Sequence, residues 1–470
     1  MLHVAPVRRL EVIDVAARST LQNRREYLEM VKRFFVFDVC AAFARLGLVL
    51  AVAAVLSASA AQGRQLFRHH EKDKPTETAK PEHLASQAAA FTIPVGPLGF
   101  FAPGAIYQGQ RESLVSLDFL DEDHLLFTFH APGLIRREGN PAADNERQIR
   151  AVVLALPSGT LNAEALWTFH DRGRYLWMLN DGHFLLRDQN ALQLGDAALE
   201  LKPSLQFQGP LLWLELDPSQ DLMAADSREP AGIKPLAGAV PSPATASAQI
   251  TSDEVKPDAQ PNIVLRILRR TTGQVMLVSR TRTTIHLPIN SEGFVETLRG
   301  KGREWVLDLN YFRGGNRIIG SLDSMCAPSV EFVSNPEVLV TTCNPDSSRW
   351  MVAMSTDGKR FWSMAKPPTQ IWPRLIMAPN GLRFARETLT VTHPIDTFSP
   401  LSFDDVTGQL VEVYDAISGK VELTAPASPI LDGGGNVAIS PSARRVAILD
   451  AGAIQVYELP EPVVGLPVAR

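Results

Sequence analysis

The chain has 470 residues, a formal net charge of −5 and 45% hydrophobic residues. This length and hydrophobic content are sufficient for a large buried core, in one long domain or in several. The slight negative charge excludes a general nucleic-acid-binding protein, which needs a strongly basic surface. Gly and Pro are close to average usage, so the composition indicates a globular protein with loops.

Residues 1–60 have the pattern of a secretory signal peptide. Basic residues precede the apolar run Leu46–Leu56, and the cleavage-site pattern Ala58-Ser59-Ala60 follows it. Met30 begins a better basic lead and is an alternative start of the chain. An uncleaved membrane anchor is the other interpretation, but sixteen apolar or small residues are fewer than the roughly 20 that span a bilayer. We therefore expect a periplasmic or secreted protein with no stable membrane span after cleavage.

Residues 61–90 are predicted to form a disordered linker, because they are charged and contain few apolar side chains. His69 and His70 are adjacent and could bind a metal. Histidines in a solvated linker are more often unliganded, so no metal site is predicted.

An apolar strand, a tight polar turn and a second apolar strand recur seven times along the rest of the chain. Pro, Asn, Asp and Gly in the turns set or tolerate the dihedral angles that a short hairpin needs. The seven hairpins are Leu117–Phe127, Trp177–Leu186, Trp213–Ala224, Leu287–Val295, Val330–Val340, Leu375–Phe384 and Val437–Leu449.

A second hairpin follows several of the first ones. Its strand leads into a Ser-, Thr- or Asp-Gly turn, as in Val152–Leu156 with Ser158-Gly159 and Leu410–Tyr414 with Ser418-Gly419. Two hairpins per repeat make a four-stranded sheet, and no segment of helical period interrupts them. A β-sandwich is the alternative, but it would have fewer and unrepeated strands.

Residues 228–262 are rich in Pro, Ala, Ser and Thr and are predicted to be a disordered insertion. Without this insertion the hairpins repeat about every 40 residues, which is typical of a propeller blade. We therefore predict an all-β fold: a single β-propeller of about seven four-stranded blades over residues 91–460, followed by a tail, 461–470.

The last blade has a single strand, Ala453–Leu459, after its hairpin, so it lacks a fourth strand. We expect Phe91–Val95 to supply this strand from the N-terminal side. Such closure removes the exposed sheet edge that would otherwise favour aggregation.

Cys326 and Cys343 remain after signal cleavage, and an oxidising compartment favours a disulfide between them. The hairpin around Asn335-Pro336 puts the two cysteines diagonally across the strand pair, two positions out of register. Pro328 frees the chain near Cys326 from the ladder, so a small shift could join the sulfurs. Two separate buried thiols are the alternative.

The C-terminal repeats resemble the exported bacterial WD40-like propellers, including the YVTN and quinoprotein-like types. The residues that carry the resemblance are Val437–Ala447, Ile454–Tyr457 and the Tyr-Asp-Ala-x-x-Gly-Lys element Tyr414–Lys420. The resemblance rests on repeats, so it implies the propeller fold and no activity.

The chain has no nucleophile elbow, zinc-protease motif, phosphate-binding loop or dinucleotide fingerprint in a matching context, so we predict no catalytic residue and no cofactor. Loops that gather on one propeller face carry several arginines, which would bind an anionic or carbohydrate ligand; solvated rim charge is the alternative. These arginines are Arg136, Arg137, Arg172, Arg174, Arg187, Arg280, Arg282, Arg299 and Arg303.

We therefore predict an exported, non-enzymatic binding or assembly scaffold for an unknown protein, anionic or carbohydrate ligand. The alternative is an enzyme of the quinone-dependent dehydrogenase or lyase type, with its site at the mouth of the central channel. A quinoprotein would need tryptophan docking motifs and a calcium-binding carboxylate set, and neither is visible in the sequence.

Overall fold

The computed structural model describes residues 87–103, 114–131, 147–170, 174–229, 262–345, 348–395, 401–431 and 433–462. The predicted signal peptide, nearly all of the predicted linker and most of the tail lie outside these residues. No helix in the described ranges is long and apolar enough to cross a membrane.

The described strands pair into seven antiparallel sheets, which are the blades of a propeller. Strand β1 (Phe91–Pro94) precedes blade 1 in the sequence. Blade 1 contains β2 (Ser116–Phe119), β3 (His124–His130), β4 (Arg147–Ala155) and β5 (Thr160–Phe169). Blade 2 contains β6 (Leu176–Met178), β7 (Phe184–Asp188), β8 (Ala191–Gly195) and β9 (Leu201–Gln206). Blade 3 contains β10 (Leu211–Leu216), β11 (Leu222–Glu229), β12 (Asn262–Arg269) and β13 (Val275–Thr281).

The remaining four blades follow in chain order. Blade 4 contains β14 (Gly293–Arg299), β15 (Glu304–Tyr311) and β16 (Asn316–Asp323). Blade 5 contains β17 (Ser329–Ser334), β18 (Glu337–Cys343), β19 (Arg349–Ser355) and β20 (Arg360–Lys366). Blade 6 contains β21 (Gln370–Met377), β22 (Arg383–Val391), β23 (Val406–Asp415) and β24 (Val421–Pro426). Blade 7 contains β25 (Val437–Ile439), β26 (Arg445–Asp450) and β27 (Ala453–Glu458), and short 3₁₀ turns occur at Gly96–Leu98 and Phe403–Asp405.

The predicted seven-bladed, all-β fold is confirmed, including its closure. Strand β1 pairs antiparallel with β27, with Phe91 opposite Val456 and Ile93 opposite Ile454, so blade 7 takes its fourth strand from the N-terminal side. The backbone of Val95 continues the pairing through a hydrogen bond to the carbonyl of Gly452, 3.1 Å long.

Blade 4 differs from the prediction in its first strand. The hairpin predicted over Leu287–Val295 has a single bridge, Ile289 to Phe294, on its first side. Pro288 has no N–H to donate to a ladder, which limits pairing at this position. The named strands of this blade therefore form a three-stranded sheet.

The apolar core is divided among the seven interfaces between neighbouring blades. Each interface holds one cluster of buried apolar side chains. Successive side chains of a strand point to opposite faces, so alternate residues of one strand pack in two different interfaces. In β22, for example, Phe384 packs toward blade 5 and Ala385 toward blade 7.

The structure corrects the bounds of the predicted insertion. Arg228 pairs with Ile263, and Glu229 pairs with Asn262, so all of these residues belong to the β11–β12 ladder of blade 3. The rest of the predicted insertion, residues 230–261, lies outside the described residues.

A disulfide joins Cys326 and Cys343, whose Cα atoms are 5.6 Å apart. In the β17–β18 hairpin, Val330 lies opposite Val340, which puts the two cysteines one position closer in register than the sequence predicted. The backbone N–H of Met325 donates to the carbonyl of Cys343, so the chain stays beside β18 up to the disulfide.

Candidate functional site

The first strand of each blade lies at the centre of the propeller, where neighbouring first strands meet. Strand β2 contacts both β6 and β25, and β21 also contacts β25. The loops that enter the first strand of a blade and that join its second and third strands emerge on the same side, because adjacent strands are antiparallel. We call this side the loop face.

Five charged side chains from five blades converge on the central channel. Each lies on the first strand of a blade or directly before it. The charge of each side chain also shifts the pKa of at least one other member of the group. We call this group the channel ring; it consists of Asp118 in blade 1, Arg174 in blade 2, Glu215 in blade 3, Glu331 in blade 5 and Arg374 in blade 6.

The channel ring has few hydrogen bonds to the surrounding protein. Asp118 accepts a hydrogen bond from the Ser116 hydroxyl, and Arg174 Nε donates to the carbonyl of Leu176 at 3.2 Å. The other three side chains, Glu215, Glu331 and Arg374, form no hydrogen bond or close ion pair with any described residue.

Burial in the channel shifts the pKa values of four ring side chains toward their uncharged forms. Burial, together with the nearby Glu331 charge, raises the pKa of Glu215 to about 8. Burial likewise raises the pKa of Glu331 to about 7, and it raises the pKa of Asp118. Desolvation and the neighbouring Arg374 lower the pKa of Arg174 to about 10. The channel therefore holds carboxyl groups that keep a proton near neutral pH.

We expect the Glu215→Gln variant to be more stable than the wild type at pH 8–9 and equally stable near pH 4. The raised pKa means that the folded protein keeps its proton while the unfolded chain loses it above about pH 4.5, so stability falls as the pH rises toward 8. Glutamine has no proton to lose. The gain at high pH should be roughly 1–2 kcal/mol after screening by channel solvent, measured by urea unfolding at both pH values. The exposed control Glu200→Gln should show no such gain, and an equal gain at pH 4 would contradict the explanation.

A cleft of about 230 Å³ opens between blades 5 and 6, next to the channel ring. Its blade 5 wall is a register-aligned row, in which Ser329 lies opposite Thr341 and Thr341 opposite Met351. This row is close to the loop-face ends of its strands. The lining residues are Ser329, Glu331, Thr341, Arg349, Met351, Trp372, Pro373, Arg374, Leu375 and Arg386.

The blade 6 wall of the cleft is formed around a bulge in β21. The register of β21 against β22 shifts between Ile371 and Arg374, and Trp372-Pro373 occupies the irregular stretch. An innermost strand can accept a proline because one of its edges has no neighbouring strand. Bulges re-aim side chains, and here Trp372, Pro373 and Arg374 all line the cleft.

Behind the cleft, a buried ion cluster links blades 5 and 6. Arg386, which is 1% exposed, donates to the Glu412 carboxylate and the Tyr414 hydroxyl. Lys366 of blade 5 donates to the other oxygen of Glu412, 2.9 Å away. The Trp372 ring lies over the Arg386 guanidinium at 4.3 Å. These contacts hold Arg386 and Trp372 in place.

Besides Arg374, three donors or cations of the cleft have no partner among the described residues. The Nε atom of Arg386 and the Nε1 atom of Trp372 are buried without a hydrogen-bond acceptor. The half-buried guanidinium of Arg349 forms no hydrogen bond or close ion pair, and burial lowers its pKa. Buried polar groups are normally paired, so these groups are unusual.

The arginines that were predicted to form one basic site on the loop face lie in different parts of the structure. Arg174 belongs to the channel ring. Arg136, Arg137 and Arg172 lie outside the described residues. The others take these positions: Arg187 within β7, Arg280 within the outermost strand β13, Arg282 directly after it, Arg299 at the end of β14 and Arg303 in the following loop.

Two of these positions differ in kind from a ligand-binding loop. Arg187 is buried, because β7 continues to Asp188 and turns into β8 at Gln189, whose φ of 53° permits a tight turn. Arg303 donates to the exposed carboxylate of Asp323 at 2.8 Å, which is a surface ion pair.

The sequence analysis missed the channel carboxylates, although a signal for them was present. The first strands contain Leu117-Asp118-Phe119, Leu214-Glu215-Leu216 and Val330-Glu331-Phe332, each with one acid between two apolar residues. These strands lie at the centre of the propeller, and successive side chains of a strand point to opposite faces. The acids therefore lie on the face opposite to the apolar side chains beside them in sequence.

The described residues include no group of three or more His, Cys, Asp and Glu side chains placed to hold a metal ion. We derive no step through a quinone cofactor.

No protein-family model and no curated protein matches the chain. Among solved structures, it is similar to a chain of the mitotic checkpoint complex, with 10% identity, a TM-score of 0.43 and coverage of 84% of this chain and 99% of that one. It is also similar to Chaetomium thermophilum Sqt1 bound to the N-terminus of ribosomal protein L10, with 11% identity, a TM-score of 0.42 and coverage of 79% and 100%.

A third similar structure is the acylaminoacyl peptidase of Pyrococcus horikoshii. The identity is 9%, the TM-score is 0.42, and the match covers 71% of this chain and 49% of the peptidase, which is about half of its length. These similarities transfer no activity, ligand or partner to this chain, whose propeller fold rests on its own strand pairing.

Proposed function

We propose that the protein is an exported, non-enzymatic binding scaffold that holds a segment of a partner protein over the loop face, at the mouth of the central channel. The channel ring carries this proposal. Partly burying a charged side chain without a close ion pair costs free energy. Stability alone therefore does not account for the four half-buried ring side chains on first strands, Asp118, Glu215, Glu331 and Arg374. A ligand with polar groups would compensate the cost on binding. Export rests on the signal-peptide pattern of residues 1–60.

Affinity capture with two variants tests the proposal. The chain without its predicted signal peptide serves as bait in periplasmic and medium extracts of the source cells. We expect the Arg174→Ala/Arg374→Ala double variant to lose the partner that the wild type retains, because both ring cations are removed. The Arg317→Ala variant is a matched control, since Arg317 forms an ion pair with Asp357 among the hairpin turns opposite the loop face. Equal capture by the double variant and the wild type would refute the proposal.

A propeller enzyme of the lyase type is the second candidate function, and the raised pKa values of Glu215 and Glu331 favour it. Carboxyl groups that hold a proton near neutral pH can act as general acids. An enzyme would release its ligand chemically changed. Mass spectrometry of ligand recovered from the wild type and from Glu215→Gln therefore distinguishes the two functions: a product formed only by the wild type indicates an enzyme.

A further inference from the structure

The cleft between blades 5 and 6 combines an apolar wall with three charged side chains that form no close ion pair with a described residue: Arg349, Arg374 and Glu331. Arg386 already shares the Glu412 carboxylate with Lys366, whereas Arg349 and Arg374 form no close ion pair with any described residue. A ligand that supplies negatively charged acceptor oxygens would pair with the guanidinium groups of Arg349 and Arg374.

We propose that this cleft binds a carboxylate carried beside an apolar group, as in an acidic residue and its apolar neighbour in a peptide segment of the partner. This proposal rests on the proposed scaffold function and names the group that the loop face would recognise. Guanidinium groups match the planar, two-oxygen geometry of a carboxylate.

The apolar part of the ligand follows from the rest of the lining. Met351, Trp372, Pro373 and Leu375 line the same cleft and offer a surface for a hydrocarbon group. Ligand pockets for drug-sized molecules measure about 300–1,000 Å³. A cleft of about 230 Å³ therefore has room for one or two peptide side chains. The charged lining favours a charged ligand over a neutral sugar.

The Arg349 side chain forms no hydrogen bond or close ion pair with a described residue that would explain it as a stabilising residue. An unpaired, half-buried guanidinium destabilises the folded state. We therefore expect Arg349→Gln to melt at the same temperature as the wild type or higher, whereas a purely structural role would lower the melting temperature. This readout separates a binding role from a structural one.

Binding is measured with small probes and the tryptophan indole N–H signals of ¹⁵N-tryptophan-labelled protein. The probe is N-acetylphenylalanine, which has a carboxylate beside an aromatic group. The corresponding amide is the uncharged control ligand. The Trp372 signal, assigned by its loss in Trp372→Phe, should shift on addition of the carboxylate. We expect the amide to bind at least about tenfold more weakly, as the loss of a charge-assisted hydrogen bond implies.

The variants decide the outcome. Arg349→Gln should weaken carboxylate binding about tenfold, and the distant control Arg317→Ala should bind as the wild type does. Equal binding of carboxylate and amide, or no effect of Arg349→Gln, would overturn the proposal. Tighter binding of glucuronate than of N-acetylphenylalanine would also overturn it, in favour of a carbohydrate. These binding measurements contain no partner protein. A negative result would therefore refute the carboxylate site alone, and the affinity capture described above tests the scaffold function separately.

Discussion

A chain that begins at Gly96 should be less stable than one that begins at Gln87 by several kcal/mol. The shorter chain lacks β1, whose Ile93 is 4% exposed and packs in the apolar cluster between blades 7 and 1, as does Val95. Losing the burial of each such side chain costs about 1.5–3 kcal/mol. The loss also exposes the backbone of β27 as a free edge.

Thermal and urea unfolding of three chains measure this effect. The third chain, which begins at Gln62, is the reference, and we expect it to match the chain that begins at Gln87. A point variant, Ile93→Ala, should reproduce part of the loss without exposing an edge, at a cost of about 2–5 kcal/mol. Equal midpoints for the chains that begin at Gln87 and Gly96 would show that β1 does not close blade 7.

The architecture could be predicted because each blade repeats local signals. A hairpin such as Val437–Leu449 carries its own alternation and turn residues, so strand, turn and partner are all close in sequence. Closure by β1 also followed from counting, since blade 7 was one strand short. Blade 4 departs from the pattern at Pro288, where the repeat is weakest.

The candidate site could not be predicted in the same way, because its residues meet between repeats. Arg349, Arg374 and Arg386 lie on three strands of two blades, and alternation fixes the face of a strand but not what the neighbouring blade places opposite it. Arg187 shows the converse error. The run Phe184-Leu185-Leu186 is apolar throughout, so no alternation of polar and apolar residues shows where the strand ends. Arg187, a buried strand residue, was therefore assigned to a loop.

The Glu229→Gln variant should lose about 3–5 kcal/mol of stability, since it removes one partner of a buried ion pair. Glu229 at the end of β11 is 0% exposed. Its two carboxylate oxygens accept from Arg266 Nη1 and Nη2 at 2.6 and 2.9 Å. The Ser227 hydroxyl, which itself accepts from Arg266 Nη1, donates to the same carboxylate at 2.8 Å. The substitution leaves the Arg266 guanidinium buried without its counter-charge.

A double-mutant cycle separates the ion pair from simple packing. Replacing both partners with apolar residues, as in Glu229→Leu/Arg266→Met, should cost less than either single substitution to an uncharged residue, because no unpaired charge remains. The exposed pair of Arg303 and Asp323 is the matched control, and Arg303→Ala should cost at most about 1 kcal/mol. Urea unfolding of all variants at one pH gives the comparison. If Glu229→Gln costs no more than Arg303→Ala, the pair does not hold the ends of β11 and β12 together where they lead into residues 230–261.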